Sequence, residues 1–285
     1  MIKVHKNIAE AVLFNLKQIF EEGKYADHVV EKTLKQNPKW GSRDRRFIAE
    51  STYDIVRWWR LLCFTAAKEM EDFPVKEVFA SWLLRNQIEI PQWLNIEISL
   101  NQYNQRLEEA NATRKIRESI PDWLDEAGIS ELGSLWDREL KALNEPAKVV
   151  LRVNTLKTDL NTLSAQLFAE GITTQQDPNY PNALILEKRT NIFNLPLYKE
   201  GYFEIQDASS QLVAPFLHAE PGMTVIDACA GAGGKTLHIA SLIKNKGRLI
   251  AMDIEEHKLT ELTNRAKRAG INSINTIAIK GNSNI

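Results

Sequence analysis

The sequence predicts an α/β multidomain chain: an all-helical N-terminal region, a small α/β segment, and the first half of a Rossmann-like parallel sheet. Three observations predict it. Residues 1 to about 145 carry apolar side chains at helical spacing, broken by prolines. Residues 146 to 205 alternate short branched runs with one amphipathic helix. Finally, Met223-Thr-Val-Ile-Asp-Ala-Cys-Ala-Gly-Ala-Gly-Gly-Lys-Thr236 reads as a strand ending in an acid, a glycine-rich turn and a helix start.

In the helical region, Ile8, Val12, Leu13, Leu16, Ile19 and Phe20 recur on one face, as do Ala26, Val29, Val30 and Leu34. Pro38-Lys-Trp-Gly-Ser42 interrupts the pattern, and Ser42 is the expected N-cap of the next helix. Phe47, Ile48, Ser51, Ile55, Trp58, Trp59 and Leu62 then form a core stripe. Pro74, Pro91 and Pro121 punctuate shorter helices that contain Trp82, Trp93 and Trp123, and most tryptophans are expected in the core. Opposite the stripe, Arg43, Arg46, Arg57 and Arg60 fall within an arc of about 100°. Spacing alone leaves two readings open. The arginines contact phosphates, or they form a solvated face neutralised by Glu50 beside Arg46 and Asp54 beside Arg57.

In the middle segment, Ala147-Lys-Val-Val-Leu-Arg-Val153 has the branching of a strand. Thr158 is the expected cap of a helix whose apolar face is Leu160, Leu163, Leu167 and Phe168, with Gly171 ending it. Ala183-Leu-Ile-Leu186 and Tyr202-Phe-Glu-Ile205 read as short strands. No aromatic stacking platform is evident on the first strand.

Residues 206 to 285 carry the chemistry. Val225 and Ile226 suit a strand, and Gly231, Gly233 and Gly234 let a ligand approach the backbone. His238-Ile-Ala-Ser-Leu-Ile243 continues as a helix, and Gly247-Arg-Leu-Ile-Ala-Met-Asp253 is a second strand ending in an acid. A carboxylate about 20 residues beyond such a turn is placed to hold the ribose hydroxyls of a nucleoside cofactor. A phosphate-binding P-loop would need glycine where Cys229 stands, and the dinucleotide fingerprint meets Thr236 in place of its third glycine. S-adenosylmethionine remains the common user of this unit. A third strand is expected over Asn275-Thr-Ile-Ala-Ile-Lys280.

The 285 residues, 44% hydrophobic, suffice for two or three domains. Two cysteines are too few for a disulfide framework and point to a reducing, cytoplasmic setting. No signal peptide, membrane span or metal-ligand spacing is present in the sequence. With a formal net charge of -1, any surface for a polyanion must be local.

Asp227-Ala-Cys-Ala-Gly-Ala-Gly-Gly-Lys-Thr236 resembles the cofactor loop of the Sun/RsmB-type (NOL1/NOP2/Sun) RNA cytosine-5 methyltransferases, which usually reads D-x-C-A-A-P-G-G-K-T. Gly231 and Ala232 stand where Ala and Pro are usual. Glu200-Gly-Tyr-Phe-Glu-Ile-Gln-Asp-Ala-Ser-Ser-Gln-Leu212 and Leu151-Arg-Val-Asn-Thr-Leu-Lys157 resemble segments that precede that loop in the family. Ser42-Arg-Asp-Arg-Arg-Phe47 with Tyr53-Asp-Ile-Val-Arg57 resembles the NusB-type RNA-binding helical domain.

The resemblance implies three domains: NusB-like over residues 1–145, RRM-like over 146–205, and the first half of an S-adenosylmethionine-binding sheet over 206–285. By it, Cys229, Ala230, Gly231, Ala232, Gly233, Gly234 and Lys235 line the methionine and sulfonium end of the cofactor. Asp253 takes the ribose, and Asn282 stands where the family places an acid beside adenine. Arg43, Arg46, Arg57, Arg60, Arg152 and Lys157 become RNA contacts, with ribosomal RNA the expected substrate and a monomer the expected state. Methylating C5 of cytosine requires a thiolate to add at C6. Neither Cys63 nor Cys229 matches the family's catalytic positions, so no catalytic residue is assigned and the chain as written is expected to be inactive. In the complete sheet of this type the strand of Val225 and Ile226 is central; stopping after the third strand makes it an open edge, so a longer native protein is expected.

Overall fold

Helical spacing in the first half and alternation in the second each close their own core. The computed structural model describes residues 4–279, and the chain divides after Glu145 into two compact units. The first contains α1 (Lys6–Phe20), α2 (Ala26–Gln36), α3 (Ser42–Arg57), α4 (Trp59–Thr65), α5 (Val75–Arg85), α6 (Leu100–Asn111), α7 (Arg114–Arg117), α8 (Asp122–Leu132) and α9 (Trp136–Asn144). Ile8, Val12 and Leu16 pack with Ile48, Ile55, Leu62, Phe79 and Leu83 in one core. A buried polar link joins α1 to its neighbours: Thr33 Oγ1 donates to Asn15 Oδ1 at 2.6 Å, and Asn15 Nδ2 donates to Thr52 Oγ1 at 3.3 Å. A smaller cluster of Ile120, Trp136 and Leu140 lies beyond α7. There Trp136 covers Gly128 so closely that a Cβ would sit 2.2 Å from the indole.

Two local expectations are corrected here. Ser42 is not the N-cap: Gly41 is the extended residue before α3, and no side chain caps that end. The helix expected to run through Leu62 breaks at Trp58, where φ is -104° and ψ is 20°. The apolar stripe nevertheless continues inward, with Ile48, Ser51, Ile55, Trp59 and Leu62 all buried.

The second unit begins with β1 (Val150–Val153), α10 (Leu160–Ala169), β2 (Thr174–Gln176), β3 (Ala183–Leu186), α11 (Pro196–Lys199) and β4 (Phe203–Ile205). Its strands pair antiparallel in the order β2-β3-β1-β4, the split βαββαβ arrangement of ferredoxin-like folds. Alternation along the strands puts Leu151, Val153, Leu184, Leu186 and Phe203 on the face that packs on Leu163 and Leu167 of α10. The cap of α10 is Asp159, not Thr158: Asp159 Oδ1 accepts from the Thr162 N–H at 3.0 Å. Phe168 does not join the apolar face and is 70% exposed. β2 was not expected, because Thr-Gln-Gln carries no apolar alternation.

A parallel sheet follows. It comprises α12 (Ala208–Val213), β5 (Thr224–Asp227), α13 (Gly234–Leu242), β6 (Arg248–Asp253), α14 (Glu256–Ala269) and β7 (Ile274–Ala278), with strand order β5-β6-β7. Val225 lies opposite Leu249, and Leu249 opposite Ile274. Leu237, Ala240, Ile243, Leu249, Ala266 and Ile271 form its core. Among the described residues β5 and β7 are the edge strands, and Ile226 on β5 is 61% exposed. Lys280 and Asn282 lie outside the described residues.

Candidate functional site

The glycine turn is held at both ends by the two strand-end acids. Asp227 Oδ2 accepts from Thr236 Oγ1 at 2.6 Å, tying the end of β5 to the first turn of α13. Its Oδ1 accepts from the Cys229 N–H at 3.4 Å. Across the sheet, the Gly231 N–H donates to Asp253 Oδ2 at 2.8 Å, and the Ala230 N–H donates to the Met252 carbonyl at 2.9 Å. The turn needs glycine where the chain goes left-handed: φ is +51° at Gly231 and +87° at Gly233. At Gly233 a Cβ would also stand 2.6 Å from Leu262 Cγ, whereas the space at Gly231 is open. α13 starts at Gly234, so the free N–H groups and positive dipole end of a nine-residue helix face the loop.

Asp253 has a second tether, accepting from the Glu255 N–H at 3.0 Å. The Glu255 and Gly231 N–H groups, with Lys258 nearby, hold its carboxyl below the usual carboxylate range. It is therefore ionised at neutral pH, half-buried, and able to accept further hydrogen bonds. The next residue, Ile254, is 73% exposed, an apolar side chain just past the C-terminal end of β6 that no sequence pattern singles out. Of the loop residues, Cys229 and Lys235 are exposed and Gly231, Ala232 and Gly234 half-buried. Ala230 instead packs inward with Ala251, Leu259 and Leu262, so its side chain supports the loop from below.

The antiparallel sheet braces this loop from behind. Arg152 and Glu204, register partners on β1 and β4, point away from α10. Arg152 Nη1 donates to Gln206 Oε1 and to the Gly234 carbonyl, both at 2.5 Å. Glu204 accepts from Arg265 Nη2 at 2.9 Å and from Arg268 Nη2 at 2.6 Å. Arg265 Nη1 then donates to the Ala232 carbonyl at 2.7 Å. Asn154 Nδ2 adds bonds to the Gly201 and Ala269 carbonyls at 2.8 and 2.9 Å. The sequence hint was Glu204, a charge inside an apolar strand; its partners sit about 60 positions away and could not be read from spacing.

The arginines expected to contact RNA are not one stripe. Arg43 and Arg46 are exposed on α3, and Arg46 pairs with Glu50 at 2.8 Å as the neutralised reading expects. Asp54 does not pair with Arg57: it accepts from Trp82 Nε1 at 2.6 Å, and Arg57 lies 5.8 Å from the Trp58 ring centre. Arg60, past the break at Trp58, donates to the Ile120 carbonyl at 2.7 Å and to Asp122 at 2.5 Å. Arg152 is corrected outright. It is 3% exposed, and burial lowers its pKa to about 10, with Glu204 opposing the shift. An interior guanidinium bonded to Gln206 and Gly234 has no face for RNA. Lys157 is exposed and donates to the Glu200 and Arg268 carbonyls at 2.5 and 2.9 Å.

Cys63 is 1% exposed, and burial pushes its thiol up to about 12, so it is a core residue. Among the described residues no His, Cys, Asp and Glu group is arranged to hold a metal ion, and no helix is long and apolar enough to cross a membrane.

Comparison with known proteins agrees with this architecture. The RsmF/B-like methyltransferase ferredoxin-like domain matches residues 120–193, and the 16S rRNA methyltransferase RsmB/F family matches residues 214–284. A Synechocystis protein named "Probable ribosomal RNA small subunit methyltransferase B" is 30% identical over 91% of this chain and 66% of its own length. A Bacillus subtilis protein of the same name is 41% identical over 54% of this chain and 34% of its own length. The chain thus spans from about a third to 66% of these curated relatives. The crystal structure of PH0851 superposes with a TM-score of 0.72 over 98% of this chain and 70% of that one, at 19% identity, which speaks to fold alone. With the ferredoxin-like and cofactor-loop segments both matched in chain order, the chain belongs to the Sun/RsmB family of methyltransferases.

Proposed function

We propose that this chain carries the cofactor-binding part of an S-adenosylmethionine-dependent methyltransferase that forms 5-methylcytosine in RNA, with ribosomal RNA as the substrate. The observation that carries the reading is the clasp between the Gly231 N–H and Asp253, which fixes a glycine cradle beside an ionised carboxylate. The residues fit the cofactor. Loop amides and the α13 N-terminus suit the methionine carboxylate, Asp253 suits two ribose hydroxyls, and exposed Ile254 offers an apolar surface to adenine. When bound, S-adenosylmethionine supplies an electrophilic methyl group.

The thiolate that cytosine C5 chemistry needs is not supplied by buried Cys63, and Cys229 belongs to the cofactor loop. We therefore infer that these residues bind cofactor without completing the transfer themselves. The helical unit, with its NusB-like sequence pattern, is proposed to contact RNA through Arg43 and the neighbouring face of α3.

Isothermal titration of S-adenosylmethionine into the chain and its Asp253→Ala variant tests the reading. Binding should be measurable and weaken at least about tenfold in the variant, the effect of losing hydrogen bonds to a charged group. An unmodified chain that binds RNA in a salt-sensitive way but has no affinity for S-adenosylmethionine would instead be an RNA-binding relative with a degenerate cofactor fold.

A further inference from the structure

In an RRM-type domain the open face of the four-stranded sheet is the surface that meets RNA. Here that face is closed. Arg152 and Glu204 on it are buried, bonded to Gly234, Arg265 and Arg268, and Val150 and Ala183 pack on Ala208 of α12. RNA contacts made by this unit must therefore lie elsewhere.

A groove between α11 and α14 has the needed chemistry. One end is a basin of 720 Å³ lined by Lys157, Lys199, Lys267 and Arg268, with Glu200 as its one carboxylate. Arg268 is already held by Glu204, so the basin's net positive charge is that of three lysines set against Glu200. Among these, Lys199 and Lys267 are exposed without a salt-bridge partner among the described residues. The other end is a recess of 350 Å³ that shares Asn264 and Arg268 with the basin and contains Phe193 and Tyr198. Charge there is balanced, Arg265 and Arg268 against Glu204 and Glu261. Phe193 is 56% exposed and meets Tyr198 edge-on with ring centres 5.2 Å apart. The Arg268 guanidinium covers the Tyr198 ring at 4.1 Å, which fixes Tyr198 as a wall and leaves the Phe193 ring open to solvent.

A cationic basin beside an exposed, supported aromatic ring is the pairing that binds single-stranded nucleic acid, phosphates to the cations and a base to the ring. A duplex would keep its bases stacked and could not use Phe193. We propose that the α11–α14 groove binds a single-stranded RNA segment, its backbone in the lysine basin and one unstacked base against Phe193. The inference rests on the reading of the chain as RNA-acting, and it adds a contact surface whose proposed contacts, Lys199, Lys267 and Phe193, lie outside the glycine loop.

The test is fluorescence anisotropy of a labelled single-stranded oligoribonucleotide of mixed sequence, titrated with the full chain across a range of salt. Lys199→Ala combined with Lys267→Ala should weaken binding about tenfold near 0.1 M salt and reduce the log–log salt slope by about 1.4, the loss of two phosphate contacts. Phe193→Ala should weaken binding about tenfold at an unchanged salt slope. S-adenosylmethionine affinity should be the same in all three proteins. Variants that bind RNA like the unmodified chain would overturn the groove while leaving the RNA-acting reading intact. An unmodified chain that does not bind RNA would overturn both. Equal weakening for a duplex, with no effect of Phe193→Ala, would overturn the single-strand assignment.

Discussion

At the residue scale the loop depends on two positions with different physics. Asp253 is an electrostatic choice: its two backbone donors favour the charged form, and the same carboxylate fixes Gly231. Gly233 is a steric one. A side chain there meets both a left-handed φ of +87° and the Leu262 side chain at 2.6 Å. Gly233→Ala should destabilise the second unit by about 2 kcal/mol, measurable as a lower urea midpoint. Adding Leu262→Ala should recover the steric part of that loss but not the backbone part. If the single variant unfolds like the unmodified chain, the loop is not held in the conformation described. The glycines themselves were legible, since a strand–acid–glycine pattern has few other uses. That Gly233 contacts α14 was not, because Leu262 lies beyond a full helix, a full strand and half of α14.

At the element scale the antiparallel sheet and the glycine loop behave as one piece, through Glu204. Its side chain is 4% exposed and bridges two arginines, one of which continues to the Ala232 carbonyl. Removing one partner of a buried ion pair costs about 3–5 kcal/mol, because the remaining charge is left uncompensated. Glu204→Gln should therefore lower the unfolding temperature and weaken S-adenosylmethionine binding together, checked by calorimetry and titration on the same sample. An unchanged cofactor affinity would mean that the brace does not reach the loop. His238 on α13 adds a pH term. It is 3% exposed, its ring nitrogens have no hydrogen-bond partner among the described residues, and burial, with Arg152 adding, lowers its pKa from 6.5 to about 4. Between those values the unfolded chain binds the proton and the folded one does not. Stability is thus fully present above about pH 6.5 and falls as pH drops toward 4, by up to roughly 3 kcal/mol. His238→Phe should flatten the pH dependence of thermal unfolding across that window.

At the scale of the whole molecule, each unit has its own core, and β5 is one of the two edge strands of the parallel sheet. Ile226 on β5 is 61% exposed and Met223 just before it 44%, and the outer side of β5 has no strand partner among the described residues. An exposed apolar strand edge favours pairing with another chain. Ile226→Lys should reduce concentration-dependent self-association in analytical ultracentrifugation, with little change in helical circular dichroism. Unchanged association would place the sticky surface elsewhere.

The sequence by itself determined most element types and the glycine loop, since both are written in local patterns. These are the helical spacing around Val12 and Ile48, the alternation around Leu151 and Leu184, and the glycines between Asp227 and Thr236. Tertiary structure decided the fate of the polar side chains. Arg152 reads as a surface cation on a strand and is an interior strut, and Asp54 reads as a partner of Arg57 and belongs to Trp82. The physical reason is that backbone geometry is selected by neighbours in sequence, whereas a charge is buried or exposed by whichever distant element covers its face.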